Sequence, residues 1–239
     1  MAAMISVIYP DTAGQYPMLY FLPSTPGGPV SVEWYSDTLQ RVVSHGFIVV
    51  AVDQIKQNLQ KYLDGAIKVL LDRVALGCHS AGCDTTLQML QDNSSTANST
   101  IFLEPFSMSI LGKNPGIKVP AYMYGTQLSE ELSPCSLPGL DYRAFYEKWA
   151  CPKWITEVAS FGHCDILDHL WWETCHYGHF CKTVGNWSLV YPKYHEYVSG
   201  AISSFLIGTL QEYKPALHYI ENTTLIPLQM LSLDSKASC

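Results

Sequence analysis

The sequence predicts an α/β fold in which a mostly parallel sheet is covered by helices on both faces. Short apolar segments alternate with amphipathic ones, and this alternation is typical of strands joined by crossover helices. The segment FIVVAVD, residues 47–53, is rich in β-branched residues and lacks polar alternation, as expected of a buried parallel strand. The segment CHSAG, residues 78–82, joins a predicted strand to a predicted helix through a tight turn.

The elements follow one another along the chain and are bounded by proline, glycine or polar residues. For example, residues 18–22 (MLYFL) lie between two prolines, and residues 32–44 have helical spacing and are followed by His45-Gly46. The strands are predicted at residues 18–22, 47–53, 73–76, 100–103, 119–124 and 154–159. The helices are predicted at residues 32–44, 59–71, 85–90 and about 194–210.

The composition of the 239 residues, 48% hydrophobic and 15% charged, is that of a packed globular protein. A chain of this length can bury its apolar surface around one core, so we expect a single domain over residues 1–239. The net charge of -7 provides no basic field for phosphate backbones, which argues against nucleic acid as a partner. The longest apolar run, residues 47–52, is far shorter than the roughly 20 residues of a membrane span. Oligomeric state is left open.

The CHSAG segment has the features of a nucleophile elbow, a tight strand-to-helix turn that exposes a reactive serine. The residues two before and two after the serine must be small, and here they are Cys78, in place of the usual glycine, and Gly82. Ser80 is therefore the candidate nucleophile, and the N–H of Ala81 is a candidate oxyanion donor. The alternative is an unreactive serine in an ordinary strand-to-helix turn.

A serine hydroxyl needs a base to remove its proton, and in this arrangement the base is a histidine later in the chain. His163 follows the last predicted strand and a glycine, so it is the candidate base. Three neighbouring histidines are expected to be structural or surface residues: His169, His176 and His179. The spacing of Cys, His and Asp in residues 163–181 matches no standard zinc ligand set, so no metal is predicted.

A carboxylate must orient the histidine of such a triad. Glu104 follows the strand predicted at residues 100–103 and is the preferred candidate. Glu130 and Glu131, after the next strand, are the alternatives.

A second oxyanion donor is expected from the loop that follows residues 18–22. Pro23 and Pro26 carry no N–H, so Ser24 or Thr25 must supply this donor.

Eight cysteines, five of them within residues 135–181, indicate an oxidising compartment in which close pairs such as Cys175 and Cys181 could form disulfides. Four N-x-S/T glycosylation sequons point the same way: Asn93, Asn98, Asn186 and Asn222. The chain does not open on a basic region followed by an apolar one. We therefore expect a secreted or luminal protein whose leader is absent from this chain, with a cytoplasmic or organellar location as the alternative.

Several segments together resemble the chlorophyllases and chlorophyllase-like α/β-hydrolases. SHGFIVVAVD resembles the family's SHGFIVVAP segment, CHSAGC its GHSRGG elbow, LEPF its acid-bearing step and FGHCDILD its histidine motif. The similarity extends to about Cys181. It implies an α/β-hydrolase fold, Glu104 as the acid, no cofactor, and hydrolysis of a carboxylic ester with a large apolar group. The extreme case is the phytyl ester of chlorophyll, which gives chlorophyllide and phytol.

The chain departs from this family within the candidate site. Pro23-Ser24 replaces the oxyanion-loop His-Gly, Cys78 and Ala81 replace the elbow glycine and arginine, and Glu104 replaces an aspartate. The family's opening strands are also expected to be missing. Two alternatives therefore stay open: a general lipase or carboxylesterase, and a catalytically silent binding protein with a hydrolase fold.

Four apolar residues could line a pocket for the apolar group of the ester, or could simply be core: Phe106, Met108, Trp171 and Trp172.

Overall fold

The structure is a computed structural model that describes residues 5–24, 31–52, 66–112, 116–131 and 135–238. Within these residues eight strands form one sheet in the order β1-β3-β2-β4-β5-β6-β7-β8. The strands are β1 (Ile5–Ile8), β2 (Gly14–Leu22), β3 (Ile48–Val52), β4 (Ile67–His79), β5 (Ser99–Leu103), β6 (Ala121–Thr126), β7 (Lys153–Val158) and β8 (Met230–Lys236). Strands β2 to β7 are parallel, and the edge strands β1 and β8 pair antiparallel with β3 and β7. The predicted mostly parallel sheet is confirmed.

Among the described α-helices, the first three lie between parallel strands, and the other four lie between β7 and β8. They are α1 (Ser36–Ser44), α2 (Gly82–Asp92), α3 (Tyr142–Lys148), α4 (His169–Gly178), α5 (Trp187–Val190), α6 (Lys193–Leu210) and α7 (His218–Glu221). Short 3-10 helices occupy Val32–Tyr35, Ser94–Thr96, Ser109–Leu111, Gln127–Glu130, His163–Ile166 and Lys214–Leu217. No helix in the described part of the chain combines the length and apolar character needed to cross a membrane.

Helices cover both faces of the sheet. Successive side chains of a strand point to opposite faces, and on the central strands both sets are apolar, so each face is buried by helices. Ile101 and Tyr122 belong to the apolar layer that contains α1 and α6. The next residue on each strand, Phe102 and Met123, belongs to the opposite layer, which contains α2 and α3. The predicted covering of both faces is therefore also confirmed.

The order of the strands reverses at β2, which lies between β3 and β4. Such a reversal opens a crevice at the carboxyl ends of the strands, where open α/β sheets bind their ligands. Leu22 ends β2 and His79 ends β4. The loop at Ser24 and the turn at Ser80 therefore start at this crevice.

The predicted helix at residues 59–71 is wrong in the part that the structure describes. Residues 59–65 lie outside the described residues, but β4 begins at Ile67 and continues to His79. Its start pairs with β2, with Gly14 opposite Ile67 and Tyr16 opposite Val69. The apolar spacing of this segment fits a helix as well as a strand, and pairing with β2 selects the strand.

The two edge strands are not predicted by the sequence patterns. β8 contains polar residues, most of its length is half-buried or exposed, and it pairs with β7 alone. A strand with one neighbour and little burial lacks the strong apolar pattern that identifies a central strand.

Three disulfides join cysteines of the described residues: Cys78–Cys83, Cys135–Cys181 and Cys164–Cys175. Cys151 is disulfide-bonded as well. The suggested pairing of Cys175 with Cys181 is therefore wrong. Cys175 lies on the buried side of α4, where it faces Cys164, and Cys181 lies beyond the end of that helix beside Cys135.

Candidate active site

Ser80 occupies the tight turn between β4 and α2, with a positive φ of 55°. This region of backbone space is costly for residues other than glycine, so neighbouring groups must hold it. The Ser80 N–H donates to the Leu103 carbonyl at 3.1 Å, and its own carbonyl accepts from the N–H groups of Cys83 and Phe106 at 3.1 and 3.0 Å. The turn is thereby tied to β5 and α2.

Two neighbours of Ser80 explain how this turn packs. A Cβ atom on Gly82 would lie 2.2 Å from the Pro23 carbonyl oxygen, so only glycine lets the turn approach the end of β2 this closely. Cys78 is more than a small replacement for glycine, because it forms a disulfide with Cys83 on the other side of the turn. The disulfide thus joins the end of β4 to the start of α2.

His163 and Glu104 contact each other although they lie far apart in the sequence. His163 begins the 3-10 helix after β7, and Glu104 follows β5 with a positive φ of 45°. The His163 Nδ1 lies 3.4 Å from Glu104 Oε2, and both residues are at most 5% exposed. The same Oε2 accepts a hydrogen bond from the Ser129 hydroxyl.

The two alternative carboxylates point elsewhere. Glu130 pairs with Arg143, and its side chain is 45% exposed. Glu131 lies 3.4 Å from Lys182 Nζ, and its side chain is 50% exposed. Of the three candidate acids, the structure therefore brings Glu104 to His163.

Ser80 and His163 both line one cavity of about 410 Å³ at the sheet crevice. Its wall is largely apolar, and Trp34 and Trp171 stack within it with ring centroids 3.8 Å apart. Among the hydrogen bonds of the described residues, none joins the Ser80 hydroxyl to His163. Catalytic hydrogen bonds are often long or poorly aligned before substrate binds.

Of the four apolar residues considered for a pocket, Trp171 lines this cavity. Trp172 is buried and donates its Nε1–H to Asp165, and Phe106 packs against the layer of α2 and α3. Met108 is 59% exposed. Of the two alternatives, the pocket position therefore fits Trp171, and the core position fits Trp172 and Phe106.

His79 links the segments around the cavity, and no sequence pattern predicted a role for it. Its ring is buried, with Nε2 3.2 Å from the His163 carbonyl oxygen and Nδ1 2.9 Å from Tyr35 Oη. Because a carbonyl can only accept, Nε2 carries the hydrogen and Nδ1 accepts from the tyrosine. Burial, followed by the nearby His163, holds the pKa of His79 well below its usual value, so the ring is neutral.

The two segments predicted to supply oxyanion donors differ in whether their N–H groups already have an acceptor. The Ala81 N–H has no acceptor among the described residues and lies at the start of α2. The Ser24 N–H donates to Tyr35 Oη at 3.4 Å, and Thr25 lies outside the described residues. Ala81 thus offers a free donor, whereas the Ser24 N–H already has an acceptor.

Asp165 anchors the segment that carries His163. Its carboxylate accepts from the N–H groups of Gly162 at 2.7 Å and Val184 at 3.0 Å, and from Trp172 Nε1 at 2.6 Å. Burial raises the pKa of Asp165 to about 6 despite these three donors. The carboxylate connects this segment to α4 and to the chain beyond Cys181.

The parallel sheet, the serine turn after β4 and the late histidine together define the α/β-hydrolase fold. Solved structures agree with it. A ferulic acid esterase from Streptomyces cinnamoneus aligns over 92% of this chain and 75% of its own, with a TM-score of 0.65 and 11% identity. A dienelactone hydrolase from Anabaena variabilis aligns over 87% and 92%, with a TM-score of 0.55 and 11% identity. At such identities the likeness shows the fold alone.

Within this fold the chain is similar to the chlorophyllases, as its segments predict. The Chlorophyllase family matches residues 1–55. Chlorophyllase-2 of Arabidopsis thaliana is 26% identical over 206 residues, which are 68% of this chain and 64% of that protein. Chlorophyllase-1 of Arabidopsis thaliana is 22% identical over 207 residues, or 69% and 63%. The chain therefore spans less than two thirds of either relative.

Proposed function

We propose that this chain is a serine carboxylic ester hydrolase with Ser80 as nucleophile, His163 as base and Glu104 as acid. The observation that carries the proposal is the contact of His163 Nδ1 with Glu104 Oε2, beside a cavity that Ser80 also lines. The positive φ of Ser80 supports it, because strained turns of this kind present a nucleophile at the top of the sheet.

In the first step the Ser80 oxygen attacks the ester carbonyl carbon, and His163 Nε2 takes the hydroxyl proton. Glu104 at Nδ1 fixes the histidine tautomer and stabilises the imidazolium. The carbonyl carbon then expels the alcohol, which takes the proton from His163, and the acyl group stays on Ser80. In the second step His163 takes a proton from water, and the water oxygen attacks the acyl carbon. The bond from this carbon to the Ser80 oxygen breaks, His163 returns the proton to that oxygen, and the acid leaves.

The Ala81 N–H is the proposed donor to the oxyanion of both steps, since it is free and lies at the start of α2. Ser24 and Thr25 stay candidates for the second donor. For Ser24 this role requires its N–H to exchange the Tyr35 hydroxyl for the substrate oxygen.

The proposed substrate is an ester with a large apolar group, and the apolar cavity wall with its stacked indoles supports this class. The names of the two Arabidopsis relatives make the phytyl ester of chlorophyll the first substrate to test. A lipase or carboxylesterase with a broader range is the alternative outcome.

A fluorophosphonate probe tests the mechanism, because it labels only an activated serine. We expect the folded chain to be labelled, Ser80→Ala to lose the label, and His163→Ala to reduce it by at least roughly 1000-fold. Ser44→Ala, at an exposed serine of α1, is the matched control and should label normally. Failure of the folded protein to react would instead support a catalytically silent binding protein.

Substrate range is then measured on the same preparation by comparing chlorophyll with short-chain nitrophenyl esters. A preference for chlorophyll supports the chlorophyllase-like assignment, and turnover of the nitrophenyl esters alone supports a general carboxylesterase.

We also propose a secreted or luminal location. The three described disulfides and the exposure of all four sequon asparagines support it.

A further inference from the structure

The Glu104 carboxylate is almost fully buried, with 3% of the residue exposed, yet few groups contact it. Its Oε2 accepts from Ser129 and faces His163 Nδ1, while Oε1 has no hydrogen-bond partner among the described residues. A buried charge is costly unless it is paired or hydrogen-bonded. Among the described residues, the carboxylate of Glu104 therefore has two polar contacts, and both are at Oε2.

Ser129 supplies the neutral contact of the two. It lies in the 3-10 helix Gln127–Glu130 that follows β6, and it is fully buried. An ionised carboxylate only accepts, so the Ser129 hydroxyl must donate to Glu104. Its oxygen lies 2.6 Å from the hydroxyl of Thr126, which is also fully buried and is left to donate to Ser129. The two hydroxyls thus form a directed chain that ends on the carboxylate.

The same short segment also contacts the chain next to His163. The Leu128 N–H donates to the Phe161 carbonyl oxygen at 2.7 Å. A Cβ atom on Gly162 would lie 3.3 Å from the Leu128 Cβ and 1.9 Å from the Lys182 carbonyl oxygen, so the histidine segment is closely packed here. Two adjacent residues of one segment therefore contact both parts of the candidate site. Ser129 bonds the acid Glu104, and Leu128 bonds the residues that precede the base His163.

We propose that Ser129, oriented by Thr126, is a positioning residue that holds Glu104 Oε2 against His163 Nδ1. Its hydroxyl stabilises the ionised carboxylate at the moment when His163 carries the serine proton, because a hydrogen bond to a charged group is stronger than one between neutral groups. This proposal rests on the proposed function of Ser80, His163 and Glu104.

Steady-state kinetics on an ester that the wild-type chain hydrolyses test it. Ser129→Ala should lower kcat roughly 10- to 100-fold and change KM by less than about threefold, as expected for a lost hydrogen bond to a charged group. Thr126→Val should give a smaller loss of kcat in the same direction. Ser199→Ala is the matched control, since this serine of α6 is also buried, 2% exposed, and donates to the His195 carbonyl oxygen at 2.7 Å. Its kcat should equal that of the wild type.

A double-mutant cycle with Glu104→Ala separates positioning from a purely structural role. In the Glu104→Ala background, Ser129→Ala and Thr126→Val should have no further effect on the rate of fluorophosphonate labelling. Equal losses with and without Glu104 would overturn the proposal, and denaturation midpoints show that each variant is folded.

The two levels of proposal fail differently. If Ser129→Ala keeps the wild-type kcat while Ser80→Ala is inactive, the positioning role is wrong and the serine mechanism stands. If Ser80→Ala keeps full activity, the serine mechanism itself is wrong.

Discussion

Ser80 and Glu104 both have positive φ values, 55° and 45°, directly after neighbouring strands of the sheet. Such a conformation costs roughly 1–3 kcal/mol per residue and persists only where the surroundings hold it. The Ser80 N–H donates to Leu103 and the Glu104 N–H donates to Tyr124. Hydrogen bonds to neighbouring strands of the sheet therefore hold both residues in this strained backbone conformation.

His79 gives a prediction at the same scale. His79→Leu removes the donor to the His163 carbonyl and leaves the Tyr35 hydroxyl without its acceptor. Because two buried polar groups then lack partners, we expect the free energy of unfolding to fall by about 2–4 kcal/mol and kcat/KM to fall roughly 10-fold. His79→Gln keeps a donor and an acceptor, so it should recover part of the lost stability and part of the lost kcat/KM. Urea unfolding measures the stability, and ester kinetics measure kcat/KM.

The pH dependence of the free energy of unfolding is a second test of the role of His79. The pKa of His79 is held well below 6.5, so in acid the unfolded state binds a proton there that the folded state does not bind. The contribution of His79 is thus complete above its unfolded pKa and is lost as the pH falls below that value. The stability difference between wild type and His79→Leu should shrink in acid, and a constant difference would contradict the assignment.

At the scale of elements, the disulfide Cys78–Cys83 joins β4 to α2 across the serine turn. Both cysteines are fully buried, so the sulfurs are shielded from solvent reductants. The hydrogen bonds of Ser80 to Leu103 and Phe106 do not involve the disulfide. Stability and the geometry of the turn therefore rest on partly separate contacts.

Removing this disulfide should cost more stability than activity. For cysteines five residues apart, chain entropy predicts that Cys78→Ala/Cys83→Ala lowers the free energy of unfolding by about 2 kcal/mol. We expect fluorophosphonate labelling of Ser80 to slow by less than about fivefold, because the backbone hydrogen bonds stay in place. Unchanged stability, or complete loss of labelling in a folded variant, would show that the two contributions are not separate.

At the scale of the whole molecule, one sheet places all segments of the candidate site at the carboxyl ends of its parallel strands. The crevice beside β2 exists because the strand order reverses there. All eight described strands belong to this sheet, and one domain over residues 1–239 stays a prediction from the sequence.

The exposed sequons give a prediction at this scale. Behind a secretory leader in eukaryotic cells, the chain should gain N-linked glycans, seen as a gel shift that an N-glycosidase removes. Three of the asparagines accept the N–H of the residue two positions on, so their Nδ2 groups are left free: Asn93, Asn186 and Asn222. Replacing all four sequon asparagines with glutamine is the control. An unshifted, secreted protein would contradict the prediction.

Local patterns predicted all the parallel strands except the first part of β4, and they also predicted the segments that carry the candidate site. The β-branched run at residues 47–53, the CHSAG turn and the late histidine are encoded in contiguous residues, since burial on both faces and a tight turn each restrict residue types locally. The choice among Glu104, Glu130 and Glu131 was not local, because all three follow predicted strands.

By itself, then, the sequence determined the class of fold, the serine turn and the candidate base. Tertiary structure decided what depends on residues far apart in the chain: the strand at residues 67–71, the disulfide partners, the acid that meets His163, and the contacts of His79 and Ser129. The physical reason is that pairing of a strand, a cysteine or a buried polar group is settled by its neighbours in space, which a one-dimensional pattern does not contain.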